Sequence, residues 1–201
     1  MVTLKTLISI LTLVLLSGCG WMYGMGQSSQ FDLTEANIHV PEFTFTNQND
    51  ESFGSGDVDG EHWLANFAFT NCTTVCLTMM PNMNQLQQDL LAEGYPLQFV
   101  TFTADPIDDT PSQLRQYAEN IGIGSRSWDF LTGYAIDELE TFSNEAFRVP
   151  YAYGDTPEDI IHSTSFFLVN KEGQVVRKYN GLEMNQDDIL ADIITYVSNE
   201  E

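Results

Sequence analysis

The order of strand-like and helix-like segments predicts a single β-sheet with helices on both faces, in the α/β or α+β class. Two mostly apolar runs bounded by turn residues, "WLANFAFT" at 63–70 and "LQFVTFTAD" at 97–105, are typical of central strands. Segments with helical spacing of apolar residues follow both runs, and the complete order is βαβαβαββα. The 201 residues, 43% of them hydrophobic, are enough for one domain with a substantial core.

The first central run is entered through a hairpin-like segment, "FTFTNQND" followed by the Gly-rich "GSGDVDGEH". After that run, apolar residues recur at helical offsets from residue 72 to about 93, which predicts a helix with Cys72 and Cys76 in its first turns, on the buried side. Pro81 should bend this helix because it cannot donate a hydrogen bond to the carbonyl of Leu77. Three methionines share the apolar face, and we expect them to be core residues rather than metal ligands: Met79, Met80 and Met83.

The downstream elements complete the sheet. A helix over "DDTPSQLRQYAENIG" should begin at a capping box of Thr110 and Gln113, with Pro111 in its first turn. The remaining predicted elements are a strand near "WDFLTG", a helix over "IDELETFSNEAF", the strands "STSFFLVN" and "QVVRKYN" around a "KEG" turn, and a final helix over "NQDDILADIITYVSN".

The N-terminus has the pattern of a targeting segment. Lys5 precedes the apolar run Leu7 to Leu16, and small residues follow it. That run is shorter than the roughly 20 residues of a transmembrane helix. "LSGC", Leu16 to Cys19, resembles the bacterial lipobox, which implies cleavage before Cys19 and lipidation of its thiol. We therefore expect a signal peptide at 1–18, a lipidated Cys19 with a flexible tether at 19–37, and a domain at 38–201, anchored by lipid to the cell membrane on its extracytoplasmic side.

The chain is strongly acidic, with 29 Asp and Glu against 7 Lys and Arg and a formal net charge of -22. This balance argues against a nucleic-acid partner and against direct binding to anionic lipid. The acidic residues are scattered along the chain rather than blocked, which indicates a solvated surface.

Cys72 and Cys76 remain as a pair once Cys19 is assigned to the lipid, and outside the cytosol such a pair can form a disulfide. A thiol at a helix N-terminus is also activated, Cys72 more than Cys76 because it lies nearer the end. Two thiolates and an imidazole suit copper or zinc, and zinc in a closed site requires a fourth ligand. Spacing alone does not choose the imidazole among His39, His62 and His162.

Four segments resemble the SCO/SenC family of thioredoxin-like proteins, in the family's order, over about residues 38–198. They are "FTNCTTVCLTMMPNM", "TFTADPIDDTPSQLRQYAENIG", "WDFLTG" and "IIHSTSFFLVNKEGQVVRKYNG". Two departures from the family pattern are Leu77, where Pro often follows the second Cys, and Asn170, where Asp is usual.

The resemblance implies an α/β, thioredoxin-like single domain with a central mixed sheet flanked by helices. It implies a membrane-anchored copper chaperone that binds one copper ion through Cys72, Cys76 and His162. The implied recipient is the subunit of cytochrome c oxidase that holds the dinuclear copper centre. Asp105, in the "DP" turn, occupies a position near the site in that family, although a local turn role explains it equally well.

Two other functions fit the same cysteines. The first is an extracytoplasmic thiol-disulfide oxidoreductase that uses Cys72 and Cys76 as a redox pair to reduce the cysteines of a partner protein. The second is a binding module that holds a structural disulfide. Loss of His162 should abolish copper transfer and leave dithiol exchange intact.

Overall fold

The computed structural model of this chain describes residues 29–123, 127–154, 156 and 159–200. Seven strands form one mixed sheet in the order β2-β1-β5-β4-β3-β6-β7. The strands are β1 Thr44–Asn47, β2 Ser52–Gly54, β3 Trp63–Ala68, β4 Gln98–Thr103, β5 Trp128–Thr132, β6 Ser165–Val169 and β7 Val175–Asn180. The helices are α1 Cys76–Ala92, α2 Pro111–Asn120, α3 Ile136–Phe147 and α4 Asp187–Asn199. The predicted α/β class and the element order are confirmed.

The centre of the sheet is parallel and its margins are antiparallel. Strands β3, β4 and β5 run parallel, and β6 pairs antiparallel with β3 on the other side. Every residue of β3 is buried, as expected for a strand covered on both faces. Because β3 and β4 are parallel neighbours, their carboxyl ends lie at one edge, and the antiparallel β6 begins at that same edge.

Helices cover both faces of the sheet. Successive residues of a strand point to opposite faces, and in β3 the ring of Phe67 contacts Phe147 of α3, whereas Asn66 donates a hydrogen bond to Met80 of α1. Helices α1 and α3 therefore lie on opposite sides. The methionines of α1 are fully buried, which confirms that they belong to the core: Met79, Met80 and Met83.

The helix that follows β3 begins later than the sequence pattern predicts. It starts at Cys76, and Cys72 lies in the preceding turn, where its amide donates to the carbonyl of Phe69 at 3.3 Å. The chain needs these residues to leave the end of β3 before it can wind into a helix. The prediction that both cysteines lie within the helix is therefore wrong for Cys72, although α1 continues through Pro81 to Ala92 as expected.

The domain includes residues that the sequence analysis assigns to the tether. The amide of Leu33 donates to Val176, and the carbonyl of Phe31 accepts from Lys178, so this segment pairs with β7. Residues 31–201 form one compact unit. The predicted signal peptide, Cys19 and most of the tether lie outside the described residues. Among the residues that are described, no helix has the length and apolar character needed to cross a membrane.

Candidate metal and redox site

Three candidate ligands converge at the edge of the sheet where β3 and β4 end and β6 begins. Ligand atoms of Cys72, Cys76 and His162 all lie within 4.8 Å of one another. Cys72 comes from the turn after β3, Cys76 is the first residue of α1, and His162 lies three residues before β6. The antiparallel pairing of β3 with β6 brings together residues 86 positions apart, and Cys76 Sγ lies 3.9 Å from His162 Nε2.

The two sulfurs differ in depth. Cys72 and His162 line a cavity of about 220 Å³, together with Phe69, Ile160 and Ile161. Cys76 does not line this cavity and is only 2% exposed. A ligand or partner thiol that enters through the cavity would therefore meet Cys72 first.

Hydrogen bonds shift the pKa values of the two cysteine thiols in opposite directions. The side chain of Cys76 hydrogen-bonds to Cys72 Sγ and is the main reason that the pKa of Cys72 falls to about 4, and backbone hydrogen bonds from Thr74 and Cys76 also favour its thiolate. The amide of Cys76 donates to Cys72 Sγ at 3.4 Å, so the sulfur accepts from an amide of the first turn of α1 that has no partner within the helix. The same hydrogen bond raises the pKa of Cys76, and burial raises it further. The reduced pair is thus a thiolate at Cys72 and a thiol at Cys76.

The histidine presents one ring nitrogen to the cysteines. His162 Nδ1 lies 2.9 Å from the carbonyl oxygen of Ser163, which can only accept, so Nδ1 carries the proton. This leaves the Nε2 lone pair directed at Cys76. The ring of Phe69 packs edge-on against the imidazole, with centroids 5.6 Å apart. A hydrogen bond to the second ring nitrogen is the usual way in which proteins orient a metal-ligating histidine.

The other two histidines lie elsewhere. The exposed His39 forms a backbone bridge with Gln174, and His62 Nε2 lies 3.2 Å from a carboxylate oxygen of Glu200. Of the three histidines, His162 is the one that lies with the cysteines.

Asp105 lies beside the site rather than within it. The residue is 1% exposed, and its carboxylate accepts hydrogen bonds from the amide of Asp108 at 3.3 Å and from the hydroxyl of Tyr153 at 2.9 Å. The local turn role is therefore present, and so is a long-range contact to the segment that precedes His162.

Asp109 is a candidate functional residue that the sequence analysis missed. It is fully buried, and its carboxylate accepts hydrogen bonds from the amide and hydroxyl of Thr70 and from the hydroxyl of Thr103. Burial raises the pKa of Asp109, and its charge contributes to the raised pKa of Cys76. The sequence does contain a signal for this residue. The dipeptide Phe-Thr follows β3 at 69–70 and ends β4 at 102–103, and an acidic residue in the loop after β4 can accept hydrogen bonds from both threonines.

A comparison with models of protein families shows which family the chain belongs to. A family model described as SCO1/SenC matches residues 31–198. The chain belongs to the SCO1/SenC family. It is 37% identical over 194 residues to the SCO1 protein homolog of Bacillus subtilis, covering 96% of each chain. It is also 31% identical over 140 residues to a putative copper-binding protein of Stutzerimonas stutzeri, covering 68% of this chain and 66% of that protein.

Solved structures agree with this assignment. A SCO1/SenC family lipoprotein from Bacillus anthracis superimposes with a TM-score of 0.77 at 34% identity, covering 84% of this chain and 98% of that one. BsSco, described as a member of the Sco family of cytochrome c oxidase assembly proteins with a disulfide switch, gives 0.74 at 37% identity over 86% and 96%. Copper-bound yeast Sco1, at 22% identity and a TM-score of 0.67 over 81% and 89%, supports the fold alone. The SCO/SenC resemblance and the thioredoxin-like fold are confirmed.

Proposed function

We propose that this SCO1/SenC protein binds one copper ion through Cys72, Cys76 and His162 and passes it to the copper-receiving subunit of cytochrome c oxidase. The observation that carries the proposal is the convergence of two sulfurs and an imidazole within 4.8 Å. Relatives described as copper-binding and as oxidase assembly proteins support the cargo and the recipient.

The donor set suits copper better than zinc. Thiolate and imidazole ligands select soft or borderline ions, and a closed zinc site is almost always four-coordinate. In the part of the chain that the structure describes, the group contains three ligands and no fourth Cys, His or carboxylate. The thiolate at Cys72 needs no deprotonation, and copper binding displaces the remaining proton from Cys76.

The experiment is an anaerobic copper titration of the reduced, purified protein beside Cys72→Ser and Cys76→Ser. We expect one copper ion per wild-type chain and loss of binding in both variants. The matched control is Thr74→Ser, which keeps the hydroxyl between the two cysteines. Stoichiometric copper binding by either cysteine variant would contradict the proposal.

A second activity, thiol-disulfide exchange with a partner protein, is favoured by the unequal pair. A thiolate at Cys72 lines the cavity and can attack a partner disulfide, and the buried Cys76 can resolve the mixed disulfide. Exchange with a partner disulfide transfers two electrons from the pair to the partner's sulfurs, together with the single thiol proton of Cys76, and forms the Cys72–Cys76 bond. The disulfide offers neither thiolate ligand, so the same exchange would release copper. Reduction of a model disulfide by His162→Ala at the wild-type rate is the expected result for this activity.

We further propose that the chain is a lipoprotein on the extracytoplasmic face of the cell membrane. The lipobox-like "LSGC" and the Bacillus anthracis relative described as a lipoprotein support this. Metabolic labelling with a fatty acid should mark the wild type and leave Cys19→Ala unlabelled. A wild-type chain without label would contradict the anchor.

A further inference from the structure

His162 is carried by a short two-stranded arm between α3 and β6. The backbones of Ala152 and Ile161 exchange two hydrogen bonds, of 3.0 and 2.8 Å, and His162 follows Ile161 directly. Strand β6 begins only at Ser165. The position of the imidazole therefore depends on how this arm, residues 151–154 and 159–162, is held against the sheet.

Two tyrosine hydroxyls hold the arm to the loop after β4. Tyr151 donates to the carbonyl of Ala104 at 2.9 Å, and Tyr153 donates to Asp105 Oδ1 at 2.9 Å. The acceptors are withdrawn from water, since Ala104 is 0% and Asp105 1% exposed. Burial and the hydrogen bond to Asp105 raise the pKa of Tyr153 to about 12, so its phenol remains a donor across the physiological range.

The loop that receives these hydrogen bonds is itself fixed to the strands that lead to the cysteines. The amide of Ala104 donates to the carbonyl of Ala68 in β3 at 2.8 Å, and the amide of Asp105 donates to the hydroxyl of Thr103 at 3.1 Å. Four residues later, Asp109 binds Thr70, two residues before Cys72. One loop, residues 104–109, thus contacts both the histidine arm and the segment that carries Cys72.

The imidazole has few direct supports of its own. Its hydrogen bond goes to the neighbouring carbonyl of Ser163, which moves with it, and Phe69 contributes an edge-on ring contact. The chain is held on the C-terminal side of His162 by β6, where the Thr164 carbonyl accepts from the amide of Gly181 at 3.0 Å, and on its N-terminal side by the arm. A shift of the arm would therefore shift Nε2 relative to the sulfurs.

We propose that Tyr153 and Asp105 are positioning residues for His162, and that their hydrogen bond sets the distance between the imidazole and the cysteine sulfurs. This inference rests on the proposed copper site. It assigns the pair a role in metal affinity and none in dithiol exchange, because the hydrogen bonds of the two cysteine sulfurs, within the described residues, go to Thr74, His162 and each other and not to Tyr153 or Asp105. Tyr153 is the residue to change because it is partly exposed, whereas Tyr151 is 5% exposed and its hydroxyl is enclosed.

The first test uses the reduced, copper-free protein. Tyr153→Phe should raise the hydrogen-exchange rates of the Ala152 and Ile161 amides by about tenfold, the effect of losing one hydrogen bond to a charged group. The matched control is Tyr179→Phe, which removes a tyrosine–carboxylate hydrogen bond of 2.8 Å to Asp192, outside the arm. Unchanged exchange rates of these two amides in Tyr153→Phe would overturn the proposal that Tyr153 holds the arm, whether or not the protein binds copper.

The second test separates positioning from general stability. Tyr153→Phe should weaken copper binding about tenfold, in the range for groups that orient metal ligands, and should leave the equilibrium for disulfide exchange with glutathione within about twofold of wild type. In a His162→Ala background the same change should cost no further affinity, because the ligand that it positions is absent. An equal loss in both backgrounds would overturn the inference.

The conservative variant supplies the rescue. Asp105→Asn keeps a carbonyl oxygen that can accept from Tyr153 and should retain most of the copper affinity, whereas Asp105→Ala should match Tyr153→Phe. Equal copper affinities in Asp105→Asn and Asp105→Ala would overturn the assigned role. Wild-type copper affinity in His162→Ala would contradict the proposed copper site instead. The exchange rates of the Ala152 and Ile161 amides would then be the test of whether the Tyr153–Asp105 hydrogen bond holds the arm.

Discussion

The cysteine side and the histidine side of the site are built in different ways. Cys72 and Cys76 lie on one continuous strand, turn and helix, so their separation is set by local backbone geometry. His162 reaches them from 86 residues away, through the pairing of β6 with β3 and through an arm held by tyrosine hydroxyls. The cysteine side should therefore tolerate changes elsewhere in the fold, whereas the histidine side should respond to distant contacts.

The largest expected effect is on the cysteine side. Cys76→Ala should abolish copper binding and should raise the pKa of Cys72 towards its ordinary value, because the Cys76 side chain is the main cause of the lowered pKa. Thiolate absorbance at 240 nm measures this pKa. Cys76→Ser keeps a hydroxyl donor and should preserve part of the shift. A pKa near 4 in Cys76→Ala would contradict this origin.

The next effect concerns the anchor of the Cys72 turn. Asp109→Ala should lower the free energy of unfolding by roughly 2 to 4 kcal/mol, since it leaves the amide and hydroxyl of half-buried Thr70 and the hydroxyl of buried Thr103 without their acceptor. Urea denaturation measures the loss. If the cysteine and histidine sides are held independently, Asp109→Ala should change the rate at which Cys72 is alkylated and leave the hydrogen-exchange rate of the Ile161 amide unchanged.

The control for that prediction is Asp129→Ala. Asp129 accepts hydrogen bonds from Asn47 and Gln98, away from the cysteines, and burial also raises its pKa. This variant should lose stability with no change at Cys72. If Asp129→Ala changed the rate of Cys72 alkylation as much as Asp109→Ala does, the claim that Asp109 anchors the Cys72 turn would be contradicted.

The pH dependence has a defined sign. The folded-state pKa of Cys72 is lowered to about 4, so its thiolate stabilises the reduced fold fully above the unfolded-state value, and this contribution is lost as the pH falls through about 4. In the reduced, copper-free protein, the thiolate fraction at Cys72 should stay constant from neutral pH down to about pH 5 and then fall about tenfold per pH unit below 4. A thiolate that disappears between pH 8 and 9 would contradict the hydrogen-bonded pair.

The smallest expected effect is on the core beside the site. Met83→Leu conserves volume at a fully buried position and should cost less than about 1.5 kcal/mol of stability. Copper stoichiometry should be unchanged, because the methionine packs in the core and is not a ligand. A lower copper affinity without loss of stability would restore the methionines as candidate ligands.

Local patterns predicted the fold well and long-range contacts poorly. Apolar runs and helical offsets located β3, β4 and α1, and the capping box at Thr110 is present, with Gln113 accepting from its amide at 2.9 Å. Helical periodicity extended α1 back to Cys72, because periodicity does not show the turn that a chain needs between strand and helix. The helix in fact begins at Cys76.

The two halves of the site were predictable to different degrees. Spacing identified the cysteines but did not select among three histidines, because which residue β6 brings to the edge of the sheet depends on strand pairing. The SCO/SenC resemblance supplied His162. Asp109 went unrecognised, because a loop acid looks like a surface residue until the strands on both sides direct threonines towards it.

The most direct test is a competition titration with a copper chelator under anaerobic conditions, comparing wild type, His162→Ala and His39→Ala. His39 is exposed and pairs with Gln174, so it provides a histidine change away from the cysteines. We expect His162→Ala to lose most of its copper affinity and His39→Ala to match the wild type. Equal affinity in all three proteins would contradict a site that joins the cysteine and histidine sides.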